Sequence, residues 1–476
     1  MHNKNLKNSK DTPVIIIIMG ITGDLADRKI IPALWHLFTH NYLPRKTVII
    51  GIARRKLSSQ DIQNIVKDSL KKQNDFDKQS KLLAKFVSMF TYISGNFENI
   101  DAFNTLKIII NKNEKKWKKS SNKIFYLAVP PTHYQHIFQN IAEVGLNKET
   151  NSWSRLLIEK PFGTDLQSST KLQSLLLQYF VEEQIYRIDH YLFKEIIQGI
   201  ENIRFSNNLF DRIWENTAID RIDIRLNESI GVEERGEFYD SIGALRDIGQ
   251  NHVLSMLASI TMDYPELTTS NSVRENRTKV LKTLKPWSRD SIRENTYRAQ
   301  YLRYSEISGV TNASQTETYF AVQTELLHPK WKGVPIYMEG GKRLSATNKE
   351  IIVTLKHPKI CHLCRIGKHD PNRIIFRLDP NDEIIIEFSA KKPGLEHILE
   401  RRTFSFFLYE KETKNQYVEE YAKVLYSALH SNQSLFASAA EIEVMWNFAD
   451  PILKGWKENI TPLQNYKQET TPNYFK

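Results

Sequence analysis

Asp189, His190 and Lys194 put a carboxylate, an imidazole and an ammonium within six residues, in the stretch Arg187-Ile-Asp-His-Tyr-Leu-Phe-Lys-Glu195. Two nitrogen donors beside a strand end make a cradle for a phosphate or another anion. His190 and Lys194 are four apart, so they share a face if a helix has begun by His190. The same nine residues also fit a solvated helix start with Asp189 near its N-cap. The elements around them decide between the two.

Val14-Ile-Ile-Ile-Ile-Met19 is a continuous apolar run of the kind found in central parallel strands. Gly20-Ile-Thr-Gly23-Asp-Leu-Ala26 follows, then helical spacing over residues 28–38 with Pro32 near its start. Strand, glycine turn and helix aim backbone amides at a phosphate. Alone, GxxGxxA fits an ordinary tight turn as well as a nucleotide site. A second strand, residues 47–53, ends in Arg54-Arg55. An NAD site usually carries an acidic side chain there for the ribose 2′-hydroxyl, whereas guanidiniums suit a 2′-phosphate. The spacing from Gly20 to Arg54 is longer than usual, but the charge favours NADP over NAD.

Amphipathic helices are expected at 61–72 and 103–110, and buried strands at 124–129, 155–160 and 184–188. The strand at 155–160 delivers Lys160 to its carboxyl end, where ligands of open α/β sheets bind. Strand and helix alternate to about residue 187, predicting a Rossmann-type doubly wound domain over 1–187. Beyond it, strands are expected at 220–227, 318–326, 350–355, 373–379 and 383–389, and helices at 240–260, 417–430 and 439–456. Runs of strands without intervening helices predict an α+β domain over 188–476, built on a large, mainly antiparallel sheet. No internal repeat appears.

Sixty-six basic against fifty-five acidic residues give a net charge of +11, suited to an anionic small-molecule substrate. The basic residues are dispersed and no recognition motif accompanies them, so no nucleic-acid partner is expected. The apolar run at 14–19 is too short to cross a membrane, and no signal-peptide layout surrounds it. The polar segment 1–12 reads as a frayed tail. The two cysteines, Cys361 and Cys364, lie near His357 and His369. One CxxC without a second ligand pair does not make a zinc site, and no metal is expected. Two cysteines in so long a chain also argue against a disulfide framework, and the chain reads as cytoplasmic.

Taken together and in order, five motifs resemble the glucose-6-phosphate dehydrogenase family. They are Gly20-Ile-Thr-Gly-Asp-Leu-Ala26, Glu159-Lys-Pro-Phe-Gly163, the stretch 187–195, Arg246-Asp-Ile-Gly-Gln-Asn-His252 and Gly341-Lys-Arg-Leu344. The resemblance implies oxidation of glucose 6-phosphate at carbon 1 with reduction of NADP, in a homodimer or homotetramer. It makes His252 the general base, a role that an imidazole fills near neutrality, and Asp189 the carboxylate that orients it. Gly20, Thr22, Gly23, Asp24, Leu25, Arg54 and Lys160 map to the coenzyme. Lys160, His190, Tyr191, Lys194, Glu228, Asp247, Lys342 and the position of Thr347 map to the sugar phosphate. Asp247, five residues before His252, is about 140° away on an ordinary α-helix and so is expected to face a sugar hydroxyl rather than the base. A cis Lys160–Pro161 bond is also implied.

Three departures from the family pattern stand out. Phe193 replaces a glycine, Asp379 stands where glutamine is usual, and Thr347 occupies a position normally basic. Lys349, two residues on, lies on the same side of an extended segment and has a stem long enough to reach back. A catalytically impaired relative serving as a binding or assembly protein is the alternative; the presence of Asp189, His252 and Lys194 counts against it.

Overall fold

The computed structural model describes residues 11–72, 80–265, 269–358, 370–396, 398–408 and 418–475. Cys361, Cys364, His369 and most of the expected N-terminal tail lie outside them. The chain forms two compact units. One comprises Met1–Gly163, Gln167–His190 and Val418–Ala439; the other comprises Thr164–Leu166, Tyr191–Tyr417 and Ala440–Lys476.

The first unit is a wholly parallel sheet of six strands: β1 (Val14–Met19), β2 (Thr47–Ala53), β3 (Phe90–Ser94), β4 (Asn122–Leu127), β5 (Ser154–Glu159) and β6 (Ile185–Ile188). Their order is β3-β2-β1-β4-β5-β6, that of the dinucleotide-binding doubly wound fold. Every residue of β1 and β4 is buried, as strands covered on both faces require. Because all six strands are parallel, Gly20, Arg54, Lys160 and Asp189 follow strand ends on one edge of the sheet. The bond Lys160–Pro161 is cis, and so is Asp379–Pro380 in the second unit.

The expected single boundary near residue 188 is replaced by an exchange of segments. Residues 418–439, assigned by sequence to the second domain, cover the open edge of β6. Ala437 N–H donates to the Arg187 carbonyl at 3.1 Å, and the Gln433 amide donates to the Ile185 carbonyl at 3.0 Å. The helix Glu420–Leu429 lies against Ile31–Thr39, with Tyr42 and Tyr426 edge to face at 5.3 Å. An unpaired sheet edge is a liability, and this segment relieves it.

The second unit is a nine-stranded sheet of β7 (Ile219–Asn227), β8 (Thr296–Tyr301), β9 (Tyr319–Glu325), β10 (Pro335–Gly341), β11 (Asn348–Leu355), β12 (Arg373–Asp379), β13 (Glu383–Lys391), β14 (Leu399–Phe407) and β15 (Gln464–Tyr466). The order is β14-β13-β12-β11-β7-β10-β9-β8-β15, antiparallel except for the pairs β7/β10 and β8/β15. Along β7, Ile222, Ile224 and Leu226 point into the core. The opposite face carries an ion-pair lattice in which Arg225 meets Glu339 at 3.2 Å and Arg377 meets Glu383 at 2.6 Å.

The expected continuous helix over 240–260 is broken. A short helix Gly236–Asp240 ends before Gly243 (φ +78°), and the chain resumes as a π-helix, Leu245–Val253, continued by the buried α-helix Leu254–Thr261. Sequence periodicity does not show a π segment this short, because nine residues complete only about two turns. Among the described residues no helix is long and apolar enough to cross a membrane.

Candidate active site

In the first unit, Gly20 has φ +89°, and a Cβ on it would stand 2.3 Å from the Ala128 carbonyl oxygen. Only glycine fits a left-handed turn under so close an approach. The Gly23 N–H closes the turn on the Gly20 carbonyl at 2.9 Å, and the Asp27 N–H bonds the Gly23 carbonyl at 3.1 Å. The helix therefore begins at the carboxyl end of β1, with its positive end directed past the strand. Thr22 and Leu25 are half-buried in this turn, and the exposed Asp24 pairs with Arg28 at 2.6 Å. Arg54 and Arg55 are exposed just past β2. The Tyr92 hydroxyl bonds the Ala53 carbonyl at 2.9 Å and the Arg55 carbonyl at 2.6 Å, pinning the backbone that carries both guanidiniums. A glycine turn, a helix start and exposed cations after the second strand fit the phosphates of NADP.

Lys160 and Asp189 follow the paired strands β5 and β6. Beyond its place in a motif, nothing in the sequence marks Glu159. Burial pushes its carboxyl up to about 7, against the pull of Tyr126 and Lys160, and the nearby Asp189 adds to the rise. The Tyr126 hydroxyl donates to it at 2.5 Å.

The segment Gln167–His190 of the first unit ends at His190, and Tyr191 begins the longest segment of the second. His190–Phe193 is a 3-10 turn, and Lys194 is extended (φ −68°, ψ 136°) as the N-cap of the helix Glu195–Ser206. The helical face expected to join His190 and Lys194 therefore does not form: the α-helix starts only at Glu195, after both residues. Phe193 is wholly buried, so the side chain that replaces glycine is absorbed by the core.

Within the second unit the ring of Tyr191 stacks on His252 at 4.1 Å, and the Lys194 ammonium lies 5.5 Å from the centre of the same ring. His252 is 1% exposed. It belongs to the π-helix Leu245–Val253, and so does Asp247. Hydrogen bonding from i to i+5 places residues five apart roughly one turn from each other. The 140° separation expected on an ordinary α-helix thus does not apply to Asp247 and His252.

Glu228, just past β7, is held by two ammoniums, Lys342 at 2.6 Å and Lys349 at 3.0 Å. Burial pushes the carboxyl up, but Lys342 and Lys349 outweigh it and hold it down at about 2. Lys349 also lies 3.7 Å from Asp379, its partner across the β11/β12 pairing, beside a register shift between Lys349 and Glu350. Burial lowers the Lys349 ammonium, yet Tyr191, Glu228 and Asp379 raise it above the usual lysine range. Thr347 shares a hydrogen bond of 2.9 Å with the Ser229 hydroxyl and accepts one from the Ser229 N–H at 3.1 Å. Tyr191, Glu228, Lys342 and Lys349 thus form one cluster, with Asp379 as its outer carboxylate. Thr347 is tied to Ser229, next to Glu228.

Family models described as glucose-6-phosphate dehydrogenase, NAD binding domain, and glucose-6-phosphate dehydrogenase, C-terminal domain, match residues 17–199 and 201–473. The glucose-6-phosphate 1-dehydrogenase of Buchnera aphidicola subsp. Schizaphis graminum is 36% identical, over 96% of this chain and 94% of that protein. The enzyme of that name from Treponema pallidum is 35% identical, over 95% and 91%. A solved structure of glucose-6-phosphate dehydrogenase in complex with its substrate glucose-6-phosphate is 32% identical and superposes with a TM-score of 0.90, covering 98% of this chain and 96% of that one. With both family models matched in order and relatives above 30% identity along nearly its whole length, the chain belongs to the glucose-6-phosphate dehydrogenase family.

Proposed function

We propose that this protein oxidises glucose 6-phosphate at carbon 1 to the 6-phosphogluconolactone, the first oxidative step of the pentose phosphate pathway, with NADP as the hydride acceptor. The observation that carries the reading is the cluster around Tyr191, where the buried His252 and the Lys194 ammonium meet one ring. His252 takes the proton of the 1-hydroxyl as the hydride leaves carbon 1, and the remaining electron pair forms the carbonyl bond. Asp189 is assigned the counter-charge to the imidazolium. Bound NADP supplies the nicotinamide ring that receives the hydride.

Lys194, His190 and Tyr191 are assigned to the phosphate. Asp247 and Glu228 are assigned to sugar hydroxyls, with Lys342, Thr347 and Lys160 completing the substrate contacts. Gly20, Thr22, Gly23, Asp24 and Leu25 would receive the pyrophosphate, Lys160 the nicotinamide side, and Arg54 the 2′-phosphate. The resemblance also carries the proposal of a homodimer or homotetramer, which sedimentation analysis tests. Work in the cytoplasm is proposed from the cysteine usage.

The absorbance of reduced nicotinamide is the test. Purified protein is expected to reduce NADP with glucose 6-phosphate, and far more weakly with free glucose. A folded protein that binds both ligands and reduces nothing would replace this reading by that of a binding protein.

A further inference from the structure

We propose that Glu317 is a positioning residue for the oxidation, fixing the start of the helix that carries Asp247 and His252. The inference rests on the roles assigned above to those two residues. Glu317 is 5% exposed and sits two residues before β9. One of its carboxylate oxygens accepts the Leu245 N–H at 3.0 Å, and its backbone carbonyl accepts the Ala244 N–H at 3.0 Å. Two of the amide groups that a helix start leaves without an internal partner are thus taken by one residue from a different segment of chain.

The approach is shaped to fit. Gly243 has φ +78°, and a Cβ placed on it would stand 2.5 Å from the same carboxylate oxygen and 2.8 Å from the carboxyl carbon. The next residue along, Arg246, donates to the carbonyl oxygens of Thr164 at 3.0 Å and Ile242 at 3.1 Å, holding the first turn from its other side. Tyr239 is buried near both Asp247 and Glu317, and the Lys342 ammonium lies 5.4 Å from the centre of its ring. Glu317 is therefore packed into the same group of side chains as two of the assigned substrate contacts.

The reason for such an anchor lies in the helix itself. A π-helix has poorer geometry than an α-helix and persists where surrounding structure over-determines it. Asp247 and His252 lie about one turn apart, so a rotation or slide of the first turn moves both. A misplacement of about 1 Å at reacting groups costs up to roughly 100-fold in rate.

Three variants test the proposal. Glu317→Ala is expected to lower kcat roughly ten-fold or more, with the KM for NADP unchanged. Glu317→Gln keeps an oxygen for the Leu245 N–H and is expected to restore kcat to within about three-fold. Gly243→Ala, which drives a methyl group into the carboxylate, is expected to repeat the loss. Circular dichroism and thermal melting separate an unfolded variant from a misplaced helix. A folded Glu317→Ala with wild-type kcat overturns the proposal. If Glu317→Ala does not fold, Gly243→Ala with wild-type kcat overturns it equally. Should the wild-type protein reduce no NADP, the dehydrogenase reading fails, and the test passes to calorimetry with glucose 6-phosphate. There, an affinity unchanged between wild type and Glu317→Ala, or between wild type and Gly243→Ala if Glu317→Ala is unfolded, sinks the positioning role.

Discussion

Glu159 at the end of β5 in the first unit and Glu228 just past β7 in the second are carboxylates at strand ends, and both are partly withdrawn from water. Burial pushes each upward. Around Glu159 the company is mainly Tyr126, Lys160 and Asp189, and the carboxyl settles at about 7. Around Glu228 two ammoniums lie within 3.0 Å, and the carboxyl settles at about 2. The same residue type in similar burial is thus poised near neutrality in one unit and locked as an anion in the other. Local charge, not burial, decides which. The turn proposed for the coenzyme is built from backbone, whereas the site proposed for the sugar phosphate is a cluster of charged side chains that balance one another.

The largest expected effect falls in the second unit. His252→Asn is expected to lower kcat by roughly 10²–10⁴-fold, the contribution of a positioned general base, with glucose 6-phosphate affinity kept within a few-fold. Near wild-type turnover in steady-state kinetics would remove His252 from the chemistry.

The contrast between the two glutamates is tested by pH. Glu159 is raised in the folded state, so its contribution to stability is present below about 4.5 and is lost as pH rises through about 7. Glu159→Gln, neutral throughout and still able to accept from Tyr126, should remove that dependence. Relative to the variant, the wild type is expected to lose stability on the order of 2–3 kcal/mol between these limits, read by urea denaturation at several pH values. Glu228 has the opposite sign: its contribution is present above about 4.5 and is lost as pH falls toward about 2. Parallel pH profiles for Glu159→Gln and Glu228→Gln would erase the comparison.

For the backbone-built site the expected loss is smaller and selective. Arg54→Ala is expected to weaken NADP by about 1.5–3 kcal/mol, the range for a hydrogen bond to a charged group, while leaving NAD nearly untouched. Equal losses for both coenzymes in titrations would shift the 2′-phosphate role to Arg55.

The smallest effect concerns the cation missing at Thr347. Lys349 is tied to Glu228 and Asp379, so it is expected to compensate only in part. Thr347→Lys is expected to tighten glucose 6-phosphate by up to about 1.5 kcal/mol, with no gain for free glucose. If the KM stays the same while Lys349→Ala raises it strongly, Lys349 already carries the whole contact.

Much of this was legible in the sequence, for physical reasons that can be named. β1 and β2 were readable because a buried parallel strand must be apolar along its whole length. Gly20 and Gly23 were readable because few other residues tolerate their turn, and the exposed arginines after β2 because charge there has few other uses. Local patterns of this kind, two to seven residues long, survive any tertiary context. The shared helical face of His190 and Lys194 did not form, because a 3-10 turn stands where helical spacing looked continuous. Nor did the expected angle between Asp247 and His252 apply, which turned on a π segment invisible to periodicity. The place of residues 418–439 at the edge of β6, the grip of Glu317 on Leu245 and the opposite fates of Glu159 and Glu228 join residues up to hundreds of positions apart. By itself, then, the sequence determined most of the strands, though not β3, β8, β10, β14 or β15, together with the glycine turn and the chemical types present at the site. The partners of each charged group were decided only by the folded chain, because a charge acts through its nearest neighbours in space and those neighbours are set by topology.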